Sequence, residues 1–367
     1  MTDIRIERLA DVLVNYSTSV QPGEWVGILG DVAALPLVRA VYTAVVKAGG
    51  NPSLMLGDEY MTREFYRHAN DDQIAWLDPS LNKYYDEADV YIRVGALTNT
   101  RASTNIDPKR MQSVQKARRS WLDTRMRRAA EGKMKWVGTL FPTEGSAQEA
   151  GMSLEEYEDF VYGATFANLP DPVAEWRKMG VEQDKKIDWL KGKKHIELHG
   201  PNIDLKLSIA GRVFINACGL RNMPDGEIFT GPVEDSVNGW VRFSYPSILQ
   251  GQSVEGIELK FENGRVVEAS AKKNEALLFA QLDADAGSRY LGEFAIGTNF
   301  GIDKFTGSIL FDEKIGGTIH MAVGAGYPDT GSKNTSTIHW DMICDMRTDS
   351  TIHVDGDLFY KNGQFVV

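Results

Sequence analysis

The sequence predicts an α/β N-terminal domain followed by a mostly antiparallel, β-rich (α+β) domain. Two observations predict this order. Helical and strand-like segments alternate through the first half, as in parallel sheets that are covered by helices. From about residue 195 onward, apolar residues recur at every second position, as in strands with one buried face. We place the boundary near the charged segment 191–194, which predicts domains at 1–188 and 189–367.

The first half follows helical and strand patterns in turn. Ile6, Leu9 and Leu13 recur at helical spacing, which predicts an amphipathic helix that begins near residue 4. Short apolar runs predict buried strands between the helices, and Gly49-Gly50 ends the second helix. The predicted helices are 4–17, 37–47, 108–130, 154–166 and 173–190, and the predicted strands are 25–30, 53–56, 89–94 and 135–138.

The second half carries the alternation of half-buried strands. Ile203, Leu205 and Leu207 alternate with polar residues, which places the apolar set on one face of a sheet. A second alternating run ends at Asn263-Gly264, a pair that accepts the positive φ angles of a two-residue hairpin turn. The returning strand then begins at Arg265. A helix is predicted near 274–282.

Composition limits the possible classes of function. The chain has 367 residues, of which 43% are hydrophobic and 25% charged, and this excludes disordered, collagen-like and simple coiled-coil chains. A formal net charge of −11 disfavours general nucleic-acid binding, because phosphate contacts need a positive surface. The two cysteines, Cys218 and Cys344, exclude a disulfide framework and a cysteine-ligated zinc site, and their apolar surroundings predict core thiols. A metal site would therefore depend mainly on carboxylates.

The N-terminus and the longest apolar stretch predict the location. The first residues show no basic segment followed by an apolar core, so no signal peptide is expected. The apolar stretch Val26–Val46 is interrupted by Asp31, Pro36 and Arg39, whereas a spanning helix needs about 20 nearly uncharged residues. No membrane span is predicted, and a cytoplasmic location is the default expectation.

Two features of the first half allow a functional and a structural interpretation. Gly27, Gly30 and Asp31 lie between a strand and a helix, where phosphate can bind, but no phosphate-binding glycine motif is present and an ordinary turn is favoured. The segment 109–135 holds ten basic and two acidic residues. It suits an anionic partner or a solvated helix face, and we favour the solvated face.

A segment near the C-terminus combines strand periodicity with metal-ligand chemistry. Ile338, Trp340 and Met342 form one apolar face, which leaves His339 and Asp341 together on the other. Side chains two residues apart on a strand can reach one cation, and an imidazole with a carboxylate suits zinc, cobalt or manganese. A surface strand with two unrelated polar residues is the alternative.

Other apolar segments nearby carry isolated polar residues. Glu293 lies in a glycine-flanked apolar run, Glu313 and His320 share another, and Glu227 follows a turn. Buried carboxylates are costly unless they are paired or bind metal, so these residues suggest a shared cation site. The spacing equally allows each to be a separate surface or hairpin residue.

These segments together resemble the aminopeptidase T / aminopeptidase S family, also called thermophilic metalloproteases. The matching blocks are PDGEIFTGP at 224–232, LGEFAIGTN at 291–299, ILFDEKIGGTIHMAVG at 309–324 and STIHWDMICDMR at 336–347. The resemblance implies an N-terminal α/β domain and a β-rich catalytic domain with a two-metal centre. It also implies removal of amino-terminal residues from peptides, and a homodimer.

The resemblance further implies individual roles. The implied metal ligands are Glu227, Glu293, Glu313, His320, His339 and Asp341, with Glu293 bridging both cations. Tyr327 is expected to point at the reacting carbonyl. The chain departs from the family pattern in one place, since two extra residues separate Glu313 from His320 and the segment from His320 to His339 is short.

The implied reaction is hydrolysis of the first peptide bond of a peptide with a free N-terminus. Two divalent cations (Zn, Co or Mn), about 3.5–4 Å apart, would hold a water and polarise the scissile carbonyl. Glu293 or Glu313 would accept a proton, and Tyr327 would donate a hydrogen bond to the oxyanion.

Two other functions remain open. The same ligands could serve a two-metal hydrolase of another amide or of a phosphoester. A non-enzymatic anion-binding protein could use the basic segment 109–135, but the acidic net charge ranks that alternative last.

Overall fold

The computed structural model describes residues 3–102, 105–249 and 251–367, and divides into two compact units. The first unit extends to Ala174 and includes Gly219–Pro224, and the second comprises Glu175–Cys218 and Asp225–Val367. The first holds a parallel sheet with helices and the second holds antiparallel sheets, so the predicted fold class is confirmed. The boundary predicted after residue 188 lies inside a helix and stays a prediction.

The elements alternate in the first unit and are mainly strands in the second. The α-helices are α1 (Ile4–Asp11), α2 (Leu35–Lys47), α3 (Glu59–His68), α4 (Asp71–Ala75), α5 (Pro79–Glu87), α6 (Pro108–Ala117), α7 (Arg119–Ala130), α8 (Glu144–Glu149), α9 (Leu154–Ala164), α10 (Pro172–Leu190), α11 (Glu275–Leu282) and α12 (Ile309–Asp312). The strands are β1 (Trp25–Asp31), β2 (Asn51–Gly57), β3 (Val90–Gly95), β4 (Lys135–Leu140), β5 (His195–Gly200), β6 (Ile203–Ser208), β7 (Ile215–Ala217), β8 (Asn222–Met223), β9 (Glu227–Thr230), β10 (Asn238–Arg242), β11 (Ser247–Leu249), β12 (Gln252–Val254), β13 (Glu258–Glu262), β14 (Arg265–Ser270), β15 (Leu291–Gly297), β16 (Thr318–Gly324), β17 (His339–Asp345), β18 (Thr351–Val354), β19 (Asp357–Lys361) and β20 (Gln364–Phe365).

The sheet of the first unit has the order β2-β1-β3-β4-β8, with every pairing parallel. The central strands β1 and β3 are largely buried, as expected where helices cover both faces. All four strands predicted in this half are present. The fifth strand, β8, comes from a part of the chain beyond the predicted boundary, and two residues are too few to show a strand period.

The turn after β1 has a structural explanation. A Cβ at Gly27 would lie 1.9 Å from the ring of Tyr84, so the glycine makes room for that tyrosine. The Asp31 carboxylate accepts hydrogen bonds from Arg93 Nη2 at 2.8 Å and from the amide of Ala96 at 2.8 Å. Packing against Tyr84 and hydrogen bonds within the unit therefore account for Gly27 and Asp31, in agreement with the favoured interpretation.

The helices of the first unit differ from the predictions in three ways. The first helix becomes a π-helical turn at Val12–Ser17. The helix predicted at 108–130 is two helices, α6 and α7, which meet at Arg118. Helices α3, α4, α5 and α8 were not predicted. Helices α4 and α8 have five and six residues, too few for a clear helical period, whereas α3 and α5 are longer and amphipathic.

Several residues of the basic segment 109–135 are part of the packing of the first unit. Arg128 is buried and donates to the carbonyl of Ala88 at 2.7 Å. The guanidinium of Arg125 lies over the ring of Trp136, 4.8 Å from its centroid. These contacts favour the structural interpretation of the segment.

Two antiparallel sheets form the core of the second unit. One has the order β14-β13-β10-β6-β5-β18-β19-β20 and the other has the order β17-β16-β15-β9-β7. Apolar side chains from both sheets form one buried cluster. The predicted hairpin joins β13 to β14, with φ of 47° at Asn263 and 81° at Gly264. Cys218 and Cys344 are both buried, as predicted for core residues.

Membrane crossing by a helix is not supported. Among the residues that the structure describes, every helix is too short or too polar to span a bilayer.

Candidate metal centre

Four neighbouring strands of the second unit present polar residues on one face. The strands are β9, β15, β16 and β17, and they carry Glu227, Glu293, His320, His339 and Asp341. The alternating residues of the same strands point the other way into the apolar core. The strand geometry predicted for His339 and Asp341 is therefore confirmed.

Small residues keep this polar face open. Ala322 lies opposite Asp341, Gly324 lies opposite His339, and Ala295 lies opposite His320. Since these neighbours have little or no side chain, the longer polar side chains can converge above the sheet. The strands are also fully buried along β15 and β16, so their polar side chains are withdrawn from bulk water.

The side chains form two triads that share Glu293. In the first, His320 Nε2 lies 3.3 Å from Glu227 Oε2 and 3.6 Å from Glu293 Oε1. In the second, His339 Nε2 lies 3.2 Å from Glu293 Oε2 and 3.5 Å from Asp341 Oδ2. Within each triad the potential ligand atoms lie within 4.8 Å of one another. Glu293 thus directs one carboxylate oxygen towards each histidine.

Glu313 also reaches this cluster, despite its unusual spacing from His320. It follows the end of α12, and its carboxylate forms a third group with His320 and Asp341, again within 4.8 Å. All six predicted ligands therefore lie together in the second unit.

The sequence analysis did not identify Lys314 as a site residue. Its side chain is fully buried, its ammonium contacts the Glu313 carboxylate, and it lies 3.9 Å from Glu227 Oε1. The available indication was a lysine within an apolar stretch directly after a predicted ligand. Such a position is unusual, because lysine is almost never fully buried unless paired.

Backbone carbonyls orient both histidines. His320 Nδ1 lies 2.8 Å from the carbonyl oxygen of Glu313, and His339 Nδ1 lies 2.8 Å from that of Ala325. A carbonyl only accepts, so each Nδ1 donates, and the Nε2 atom of each ring faces the carboxylates. This arrangement is typical of histidines that bind metal.

Two carboxylate oxygens of the cluster lack the partners that burial demands. Asp341 Oδ1 and Glu227 Oε2 are buried and accept no hydrogen bond from the described residues, although His320 Nε2 lies within ion-pair distance of the latter. Burial raises the pKa of Glu227 to about 8, although Lys314 and His320 oppose the shift. An orphaned buried oxygen is costly, and a cation would satisfy it.

The electrostatic field of the cluster is negative. Burial lowers the pKa of His339, but Asp341 and Glu293 outweigh this effect and raise it to about 11. Burial also lowers the pKa of His320, and Glu227 and Glu293 raise it to about 10. Four carboxylates face one ammonium here, so the donor set fits hard or borderline divalent cations.

Tyr327 lies at the edge of the cluster. Its ring contacts that of His339, with centroids 5.3 Å apart, and that of Phe229 at the same distance. The side chain is 41% exposed. Burial of the hydroxyl and the nearby carboxylates raise its pKa, so it stays protonated and can donate a hydrogen bond.

Comparisons with known proteins agree on one family. Residues 2–365 match the model of the thermophilic metalloprotease family (M29). Aminopeptidase 2 of Geobacillus stearothermophilus is 26% identical over 379 residues, which cover 95% of this chain and 90% of that protein. Aminopeptidase T of Thermus thermophilus is 27% identical over 348 residues, which cover 88% of this chain and 85% of that protein.

Solved structures share the fold. Wild-type AmpT from Thermus thermophilus matches with a TM-score of 0.87 at 24% identity, and the match covers 99% of both chains. A 2,5-dihydroxypyridine dioxygenase from Pseudomonas putida KT2440 matches with a TM-score of 0.59 at 14% identity, over 99% of this chain and 97% of that chain. At these identities the two likenesses bear on fold alone.

Proposed function

The chain belongs to the thermophilic metalloprotease family (M29), and we propose that it is a metal-dependent aminopeptidase that hydrolyses the N-terminal peptide bond of peptides. The observation that carries the proposal is the pair of triads, one buried and one partly open to solvent, that share Glu293. The full-length match to the family and the relatives named as aminopeptidases support it.

We propose that six residues hold two divalent cations. The residues are Glu227, Glu293, Glu313, His320, His339 and Asp341, with Glu293 between the two positions. When bound, such cations supply an activated water near neutral pH and polarise the scissile carbonyl. Zinc, cobalt and manganese each suit this mixture of imidazole and carboxylate donors.

Glu313 is the best candidate for the proton acceptor. It alone among the carboxylates of the cluster stands at the end of a helix rather than on a strand, and its carboxylate contacts the Lys314 ammonium. Burial raises its pKa, which brings a carboxylate closer to the range that general-base catalysis needs. Lys314 orients that carboxylate and offsets part of the negative charge around it.

Tyr327 is the proposed oxyanion donor. Its packing against His339 and Phe229 holds the ring beside the exposed edge of the cluster. A protonated hydroxyl in that position can stabilise the charge that develops on the carbonyl oxygen in the transition state.

The oligomeric state, the location and the identity of the cations each need a separate test. We propose a homodimer and a cytoplasmic location, as the family resemblance implies. Light scattering coupled to size-exclusion chromatography measures the mass of the assembly, and fractionation of source cells measures the location. Anomalous scattering across metal edges of a crystal gives the identity, number and ligands of the cations together.

The activity is tested with leucine p-nitroanilide and a phosphoester, before and after removal of cations by a chelator. We expect hydrolysis of the aminoacyl substrate, loss of activity after chelation and recovery on addition of zinc, cobalt or manganese. Two results would contradict the proposal: hydrolysis of the phosphoester without hydrolysis of leucine p-nitroanilide, or full activity after prolonged chelation.

A further inference from the structure

An apolar cavity of about 270 Å³ adjoins the open side of the metal cluster. Strand β17 forms one wall and contributes His339, Asp341 and Ile343. Because Ile343 follows Asp341 by two residues, it lies on the same face of the strand as the proposed ligands. Trp340 and Met342 of the opposite face also line the cavity, so it runs along the edge strand β17 and includes two of the proposed ligands in its lining.

Two further segments complete the cavity. Strand β11 contributes Ile248 and Leu249, and the loop before α12 contributes Phe305, with Ile309 at the start of that helix. All four side chains are apolar. Ile309 is 49% exposed even though it is large and apolar. A concave, mainly apolar wall beside a few convergent polar groups is typical of a ligand site.

Hydrogen bonds and ring stacking hold these walls in place. Ser247 Oγ donates to the carbonyl of Asp341 at 2.8 Å, which fixes β11 beside β17. The ring of Phe305 is stacked on that of Tyr245, with centroids 5.3 Å apart and planes 9° apart. The cavity therefore belongs to the folded unit and does not depend on a chance separation of loops.

The lining offers little to a charged side chain. Apart from His339 and Asp341, the one ionisable residue among the described lining residues is Asp312. Its carboxylate accepts hydrogen bonds from the Thr306 amide at 2.7 Å and from Thr306 Oγ1 at 2.9 Å, and the residue is buried. Because Asp341 is a proposed cation ligand and Asp312 already accepts these hydrogen bonds, a charged side chain in the cavity of the cation-loaded protein would lose hydration without gaining a free partner.

We propose that this cavity binds the side chain of the substrate's N-terminal residue and selects large apolar residues such as leucine, methionine and phenylalanine. The inference rests on the proposed function. The first side chain is attached between the α-amine and the scissile carbonyl, so it must enter space that adjoins the ligands. An apolar cavity of about 150 Å³ accommodates benzene, so this one has room for a benzyl or isobutyl group.

The first test is a comparison of kcat/KM for p-nitroanilides of leucine, methionine, phenylalanine, glycine, glutamate and lysine. We expect kcat/KM for the three apolar substrates to exceed that for the other three by at least about 10-fold. This is the lower end of the discrimination that one apolar contact contributes. Hydrolysis of these substrates without that preference would overturn the inference and leave the proposed function intact. No hydrolysis of any of them would overturn both.

The second test reduces the size of the cavity with Ile248→Trp. The residue lies outside the proposed ligand set, and its half-buried position lets a larger ring project into the cavity. We expect kcat/KM for leucine to fall at least about 10-fold, while that for alanine changes less than about 3-fold. The matched control is Val181→Trp, since Val181 is 56% exposed on α10.

Circular dichroism and cation content show whether each variant is folded and loaded. A folded, loaded Ile248→Trp enzyme that loses activity towards leucine and alanine equally would contradict the inference. So would one that keeps the specificity of the unmodified protein.

Discussion

The two ends of the metal cluster differ in their access to solvent. We call Glu227 and His320 the buried end, where the side chains are 7% and 1% exposed, and His339 and Asp341 the open end, where they are 28% and 13% exposed. Glu293 lies between them. The chemistry of the ligands is alike, so the difference indicates a division of roles: the buried end suits a permanently held cation, and the open end suits contact with substrate.

The largest effect should come from Glu293, which both ends share. We expect Glu293→Gln to lower kcat/KM by more than about 10³-fold, because the loss of one charge weakens both triads. Cation content, measured by mass spectrometry of the dialysed protein, should fall at both positions. Circular dichroism should report a folded protein.

Glu268→Gln is the matched control for that substitution, because Glu268 is an exposed glutamate that pairs with Lys260 on another sheet. It should retain full activity and cation content. A Glu293→Gln protein with normal activity and both cations would contradict the assignment of the shared ligand.

His320→Ala and His339→Ala should separate the two ends directly. His320 is enclosed by the core strands, so its removal leaves a cavity and exposes buried carboxylates to one another; we expect a loss of about 2–4 kcal/mol in the free energy of unfolding. His339→Ala should lose one cation with less than about 1 kcal/mol of destabilisation. Both variants should lose at least about 10²-fold in activity.

Urea denaturation of metal-free proteins checks that contrast, with cation content measured in parallel. Equal destabilisation by the two substitutions would mean that burial does not distinguish the ends.

Tyr327→Phe tests the substrate side of the open end. The substitution keeps the ring that packs on His339 and removes the hydroxyl. We expect kcat to fall by about 10²-fold, the effect of removing one oxyanion donor, while KM and cation content change little. A change confined to KM would assign the hydroxyl to substrate binding instead.

Parts of the fold and of the site could be predicted where the pattern of a few neighbouring residues determines the local structure. The hairpin at Asn263-Gly264 and the strand with His339 and Asp341 were confirmed because alternation or turn chemistry acts over a few residues. Strand β8 and helices α4 and α8 were missed because two, five and six residues are too few to show a period. The role of the ligands came from resemblance, since spacing alone allowed a shared cation site and separate surface residues equally.

Features formed by segments that are far apart along the chain could not be predicted from the sequence pattern. The apolar cavity has walls from three separate parts of the chain, and Lys314 lies beside a second carboxylate only because the fold brings Glu227 within 3.9 Å of its ammonium. Neither relationship is visible in spacing along the chain.

The smallest effect on catalysis should come from Lys314, which acts through Glu313. We expect Lys314→Met, which keeps most of the buried volume, to lower kcat by about 10-fold and to leave both cations bound. The ammonium is the one lysine or arginine group that faces the carboxylates among the described contacts of the cluster. Without it, the metal-free protein holds four carboxylates opposed by the histidines alone.

Thermal unfolding with and without bound cations therefore shows whether Lys314 acts through its positive charge or through its packing. Lys314→Met should lower Tm more in the metal-free protein than in the loaded one, because bound cations replace the missing positive charge. An equal loss of Tm in both states would show that Lys314 contributes by packing, and the fall in kcat would then be a consequence of a displaced α12 rather than of a misoriented Glu313. Lys314 lies beside the buried end of the cluster. The same two measurements therefore also test whether the stability of that end depends on a permanent positive charge.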